Sequence, residues 1–351
     1  GVAVSRGEDG RVYVVDSGNA RVQAFAPSGG VIGMWGVRGS RDGEFWEATD
    51  AAVSPDGRHV YVVDKRQRIV QQFDADACLG VTRGRCFVRS WGGWGSGPGQ
   101  FQDPIGIAVD AESRVFVVDW GAHVVQMFDS GGTYLATFAH PGEDREGLFR
   151  PSDIDVAPNG VVWVADRDHR RIYVFAVVKK DAQWIAQPVD DFTFSGKLNN
   201  PTGVAVGADG TFAIMDFESE TGAARLRMFG ADRKLVREEV LGGDGCREHY
   251  PHQGVALLPG GDAVVTVLGS PDYNLLQIPA EGDIRPLAPR GHTLEQFERP
   301  GGVALDPHFM VVADTNNRRV LVVGTEDDDR VIGIMGDVNP AFDFLEPVGV
   351  A

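Results

Sequence analysis

One five-residue phrase recurs along the chain and limits what it can fold into. Val12–Asp16, Val60–Asp64, Val115–Asp119, Val162–Asp166, Phe212–Asp216 and Met310–Asp314 are copies of a single apolar strand ending in aspartate. Ala263–Val267 is a seventh copy without the acid. A proline opens the segment before most copies (Pro104, Pro151, Pro201, Pro251, Pro300, Pro347), at intervals of 47 to 50 residues. Self-similarity at such a period marks a repeat architecture, so it is read before any single residue is given a role. Each period has room for about four short strands separated by Gly, Asp, Asn and Pro turns. One such sheet cannot bury both its faces alone, but radial stacking buries each sheet against its neighbours. The strands are apolar nearly throughout rather than alternating, as sheets covered on both faces require. The expected fold is all-β, a seven-bladed β-propeller of four-stranded antiparallel blades, with six or eight blades as alternatives.

Residues 1–351 read as one propeller domain, with 43% hydrophobic residues for the core and 46 glycines for the turns. The ends conflict: Pro347–Ala351 opens a further unit although Gly1–Val4 already opens the first. Either the chain is a fragment of a longer array or one copy is displaced where the ring closes.

After the second strand, Asp16, Asn19, Arg21 and Phe25 follow the pattern Asp-x-x-Asn-x-Arg-x-x-x-Phe, and residues 314–319 repeat it as Asp-Thr-Asn-Asn-Arg-Arg. Together with the glycine-rich linker from Trp91 to Phe101, this pattern resembles the NHL repeat along essentially the whole chain. The resemblance implies a propeller. It does not fix a function, since the family includes enzymes, RNA binders and protein-binding sensors. The amidating lyases among them hold zinc on three histidines near the channel. Here only His252 falls at a corresponding blade opening, so the resemblance does not carry a three-histidine zinc site over.

A formal charge of −17 argues against nucleic acid as the partner. The best local basic stretch is Arg167–Arg171, where the alternative is that Arg171 serves the turn and its neighbours are solvated. No run of about 18 apolar residues is present, so no membrane span is expected. Cys78 and Cys86 flank a loop of hairpin composition and are expected to form a disulfide, which implies export to an extracellular or periplasmic compartment. The alternative is two reduced thiols beside a turn. Cys246 is left over.

The recurrent aspartates form an apparent carboxylate ring, but a residue that every repeat demands is architecture first, here by accepting loop N–H groups and pairing with Arg21, Arg68, Arg171 and Arg318. Departures from the repeat are better site candidates. Asp50 and Asp153 stand where other units carry glycine, and His252 and Gln253 occupy the one opening with an inserted residue. All four fall at the same mouth of the axial channel, where they are expected to meet a protein or glycan ligand. Asp50 and Asp153 are also the expected ligands of a channel Ca2+ or Mg2+, should one bind. No catalytic nucleophile with an oriented base is legible. The expected function is a non-catalytic binding or scaffold propeller; the alternative is a propeller lyase or hydrolase with a metal-assisted site at the same mouth.

Overall fold

In the computed structural model the chain forms seven four-stranded antiparallel sheets in a ring, a seven-bladed β-propeller. The structure describes residues 2–5, 10–26, 30–80, 86–142, 147–192, 198–218, 223–241, 255–258, 261–266, 273–289, 300–305, 309–314, 319–324 and 331–336. Each blade runs in chain order from the channel outward. Its inner strand carries the repeat's opening: Val2–Val4, Ala48–Val53, Pro104–Val109, Pro151–Val156, Pro201–Val206, Val255–Leu257 and Pro300–Leu305 for blades 1 to 7. The surplus opening at Pro347–Ala351 lies outside the described residues.

The even hydrophobicity of the strands has its explanation in the packing. In Val115–Asp119, Val115 and Val117 pack with Tyr61, Val63 and Val70 of blade 2, while Phe116 and Val118 pack with Val162, Val164 and Phe175 of blade 4. Successive side chains point to opposite faces, so a strand buried on both sides must be apolar at every position. The same kind of cluster fills all seven inter-blade spaces, including the last, where Val12, Val14 and Phe25 meet Ala304, Val311 and Ala313 and close the ring.

The linkers are pinned by a repeated device. Asp64, fully buried, accepts the backbone N–H groups of Trp46 and Glu47, at 2.6 and 3.2 Å. Asp119 does the same for Gln102 and Asp103, Asp166 for Phe149, and Asp216 for Asn199 and Asn200. A plug residue from each of these linkers, Phe45, Phe101, Leu148 and Leu198, is driven between blades. The recurrent acid is therefore architecture, as the repeat implies. Its expected arginine partners divide: Arg21 and Arg171 pair with Asp16 and Asp166, at 2.7 and 2.9 Å. Arg68 instead donates to the carbonyl of Gln102, and Asp64 takes the Gln67 amide. Arg318 lies outside the described residues.

Candidate ligand-binding mouth

Pro104 pairs with Asp119, Pro151 with Asp166 and Pro201 with Asp216, so inner strands begin and second strands end on one face. A register shift recurs between each such pair and the next. Proline has no N–H to offer the ladder, and the strand end at the mouth is where that costs least. Asp50 pairs with Val63 and Asp153 with Ala165, each the partner next to the terminal aspartate, as Gly106 pairs with Val118 and Gly203 with Met215. Both acids therefore sit one level inside the mouth, where the neighbouring blades carry glycine.

Each carboxylate bridges two blades. Asp50 accepts the N–H of Ala51 on one oxygen (2.9 Å) and that of Ile107, on the inner strand of blade 3, on the other (3.0 Å). Asp153 accepts the N–H groups of Ile154 and of Val204 in blade 5, both at 2.9 Å. Asp155, two residues deeper, repeats the pattern with Val156 and Val206. An inner strand is a sheet edge, so its channel-facing N–H groups need acceptors from elsewhere. These acids supply them. Burial raises the Asp50 carboxyl to about 6, and burial likewise holds Asp153 well above the ordinary carboxylate range, with Asp50 itself adding to the effect. No lysine or arginine side chain hydrogen-bonds either acid among the described residues. His252 and Gln253 lie outside the described residues.

Among the described residues no group of three His, Cys, Asp or Glu side chains is placed to hold a metal ion. His123 and His169 do lie at the mouth face. His169 donates to or accepts from Asp166 at 2.7 Å, and His123 accepts the N–H of Arg150 at 3.0 Å. Burial, and then Arg150, lowers the His123 pKa.

The structure adds a set of rim residues that sequence reasoning missed. Trp46 and Phe149 give their backbone N–H groups to the pinning aspartates, which leaves their side chains outside the repeat's demands, and each is 37% exposed. Trp120 follows its aspartate directly and borders the same surface. The available signal was an aromatic residue where the repeat needs only a backbone.

The Cys78–Cys86 disulfide is formed, across the outer hairpin of blade 2. No helix among the described residues is long and apolar enough to cross a membrane.

Residues 49–148 match the model of the SMP-30/gluconolactonase/LRE-like region. The chain is 33% identical over 78 residues to the Drosophila melanogaster protein brain tumor, covering 22% of this chain and 8% of that protein. It is 23% identical over 152 residues to a probable peptidyl-alpha-hydroxyglycine alpha-amidating lyase of Caenorhabditis elegans, covering 42% of this chain and 35% of the lyase. The alignments thus span at most about a third of these curated relatives. Among solved structures, the periplasmic gluconolactonase of Pseudomonas aeruginosa is similar in fold, with a TM-score of 0.63 at 14% identity over 97% of this chain and 98% of that one.

Proposed function

We propose that this seven-bladed β-propeller, whose repeats resemble the NHL pattern, is a non-catalytic binding module. Its ligand, a protein or a glycan, meets the mouth that bears Asp50 and Asp153, with His252 and Gln253 assigned to the same site from the repeat alignment. The observation that carries this reading is the placement of two carboxylates at the glycine level of the channel, in blades 2 and 4. Each oxygen takes one backbone N–H and keeps a second lone pair. Those lone pairs suit hydroxyl or ammonium donors on a ligand. Blades 3 and 5 carry glycine at this level, and the acids of blades 2 and 4 reach across to their N–H groups. Export to an extracellular or periplasmic compartment fits the disulfide.

The test is a peptide and glycan array probed with the wild-type chain, followed by rebinding of each hit to the Asp50→Asn, Asp153→Asn double variant. Affinity is expected to fall about tenfold or more, as for loss of a hot-spot contact. Hits that bind the variant as tightly as the wild type would remove the carboxylates from the site.

A metal-assisted lyase or hydrolase at the same mouth is the second reading, and the gluconolactonase-type match across blades 2 and 3 favours it. Calorimetric titration with Ca2+, Mg2+ and Zn2+ separates the two. Stoichiometric binding abolished in the Asp50→Asn, Asp153→Asn variant would favour the enzyme.

A further inference from the structure

The rim carries a second chemistry that the channel does not share. Arg66 is exposed and lies over the Trp46 ring at 4.9 Å. Arg150, whose side chain is 48% exposed, lies over Trp120 at 5.1 Å and over Phe149 at 5.7 Å. A guanidinium stacked on a ring has its orientation already fixed, so less freedom is lost on binding; the Arg150 guanidinium also hydrogen-bonds Asp168 at 3.3 Å. Hydrogen bonds join the two pairs into one surface. Arg68 reaches from the loop of blade 2 to the Gln102 carbonyl, the Trp120 N–H bonds the Asp103 carbonyl, and Arg150 N–H bonds His123 in the loop of blade 3. At the far end, Nε of Arg167 and Nε2 of His169 are buried without a hydrogen-bond partner. On a chain of net charge −17, Arg66 and Arg150 are thus gathered with the exposed Trp46 and the half-buried Trp120 on one arc of blades 2 to 4. Tryptophan and arginine dominate the hot spots of protein interfaces.

We propose that this arc docks a short acidic segment of a partner protein, with carboxylates on Arg66 and Arg150 and aliphatic atoms laid across Trp46, Trp120 and Phe149. The inference rests on the mouth being the binding face, but not on the channel carboxylates. It favours protein over nucleic acid because acids punctuate the arc. Asp168 sits 3.3 Å from the Arg150 guanidinium, and Glu47 and Asp103 lie in the linkers beside it. A phosphate backbone needs an unbroken basic track. Discrete carboxylates on a peptide need only the two arginines.

The test uses three fluorescein-labelled probes: a dodecapeptide of glutamate and leucine, its lysine and leucine counterpart, and an oligodeoxythymidylate of equal length. The wild-type chain is expected to bind the glutamate peptide in preference to the other two. Arg66→Gln with Arg150→Gln should weaken that binding by about tenfold or more. Trp46→Ala with Trp120→Ala should weaken it similarly. Arg66→Glu with Arg150→Glu, checked for wild-type circular dichroism and melting, should switch preference to the lysine peptide; if that variant fails to fold, the glutamine pair decides. Equal binding of both peptides, or undiminished binding by the glutamine pair, would overturn the proposal. Tighter binding of the oligonucleotide, lost in the glutamine pair, would also overturn it and make the arc a nucleic-acid surface. Failure of the asparagine pair to affect array hits counts against the channel site alone, since the arc is read with its own variants.

Discussion

Asp50 shows how one residue is held by competing demands. Its carboxylate satisfies two backbone N–H groups, but the surrounding protein strips it of water. Burial raises its pKa to about 6 from an ordinary 3.8, so the folded ring binds the proton more tightly than the unfolded chain does. The stability this group contributes is greatest below pH ~4 and is lost as pH rises through 6. Asp153, shifted in the same direction, adds to the effect. Asp56 and Asp209 act in the opposite sense, because the hydroxyls of Ser54 and Thr211 hold them below the usual range, and they matter only in more acidic solution. Lowering the pH from 7 to 5 is therefore expected to stabilise the protein by about 1 kcal/mol through Asp50, offset in part by His123, whose lowered pKa acts in the opposite sense over that range. Urea denaturation across that range should show the gain, and the profile should flatten in Asp50→Asn with Asp153→Asn. A variant with the wild-type slope would mean that these acids do not titrate as described. None of this was legible from local sequence. The replacement of glycine by aspartate was visible, but the acceptor role was not, because the N–H groups of Ile107 and Val204 lie some fifty residues away and belong to the backbone.

At the scale of elements, the outer hairpin of blade 2 reaches beyond its own sheet. Gly80 donates its N–H to the carbonyl of Ile32, on the outer strand of blade 1, at 2.6 Å. The contact is tight because a Cβ on Gly33 would stand 2.2 Å from the Cys78 carbonyl oxygen, so only glycine admits the loop there. The Cys78–Cys86 bridge closes this loop. Thiol titration of the denatured, unreduced chain should find one free thiol, from Cys246, and three would refute the bridge. Removing the bridge with Cys78→Ser and Cys86→Ser should cost about 2–3 kcal/mol in denaturation on the chain-entropy account. An unchanged midpoint would mean that the loop is held by its contact with blade 1 alone. The cysteine pair was readable from its hairpin spacing. The docking of the loop on the preceding blade was not, since Gly33 and Gly80 look like two of many turn glycines.

For the whole molecule, the repeat specified the ring because its demands are the same in every unit: apolar strands with two covered faces, and an acid to pin each linker. The same regularity hid the site. Wherever the repeat asks only for a backbone N–H, as at Trp46 and Phe149, the side chain is free of the repeat's demands and carries no periodic signature. Asp50 and Asp153 stand out in the sequence because they break a pattern, and the rim aromatics do not because they break none. Channel acids and rim arginines fall on one face of blades 2 to 4, the proposed binding face. Hydrogen-exchange mass spectrometry, with and without a saturating binder from the array, tests it most directly. Protection is expected at residues 46–50, 64–68, 102–106, 119–123 and 149–153 alone. Protection confined to the opposite turns, at 54–58, 110–114 and 157–160, or to the outer strands, would contradict it.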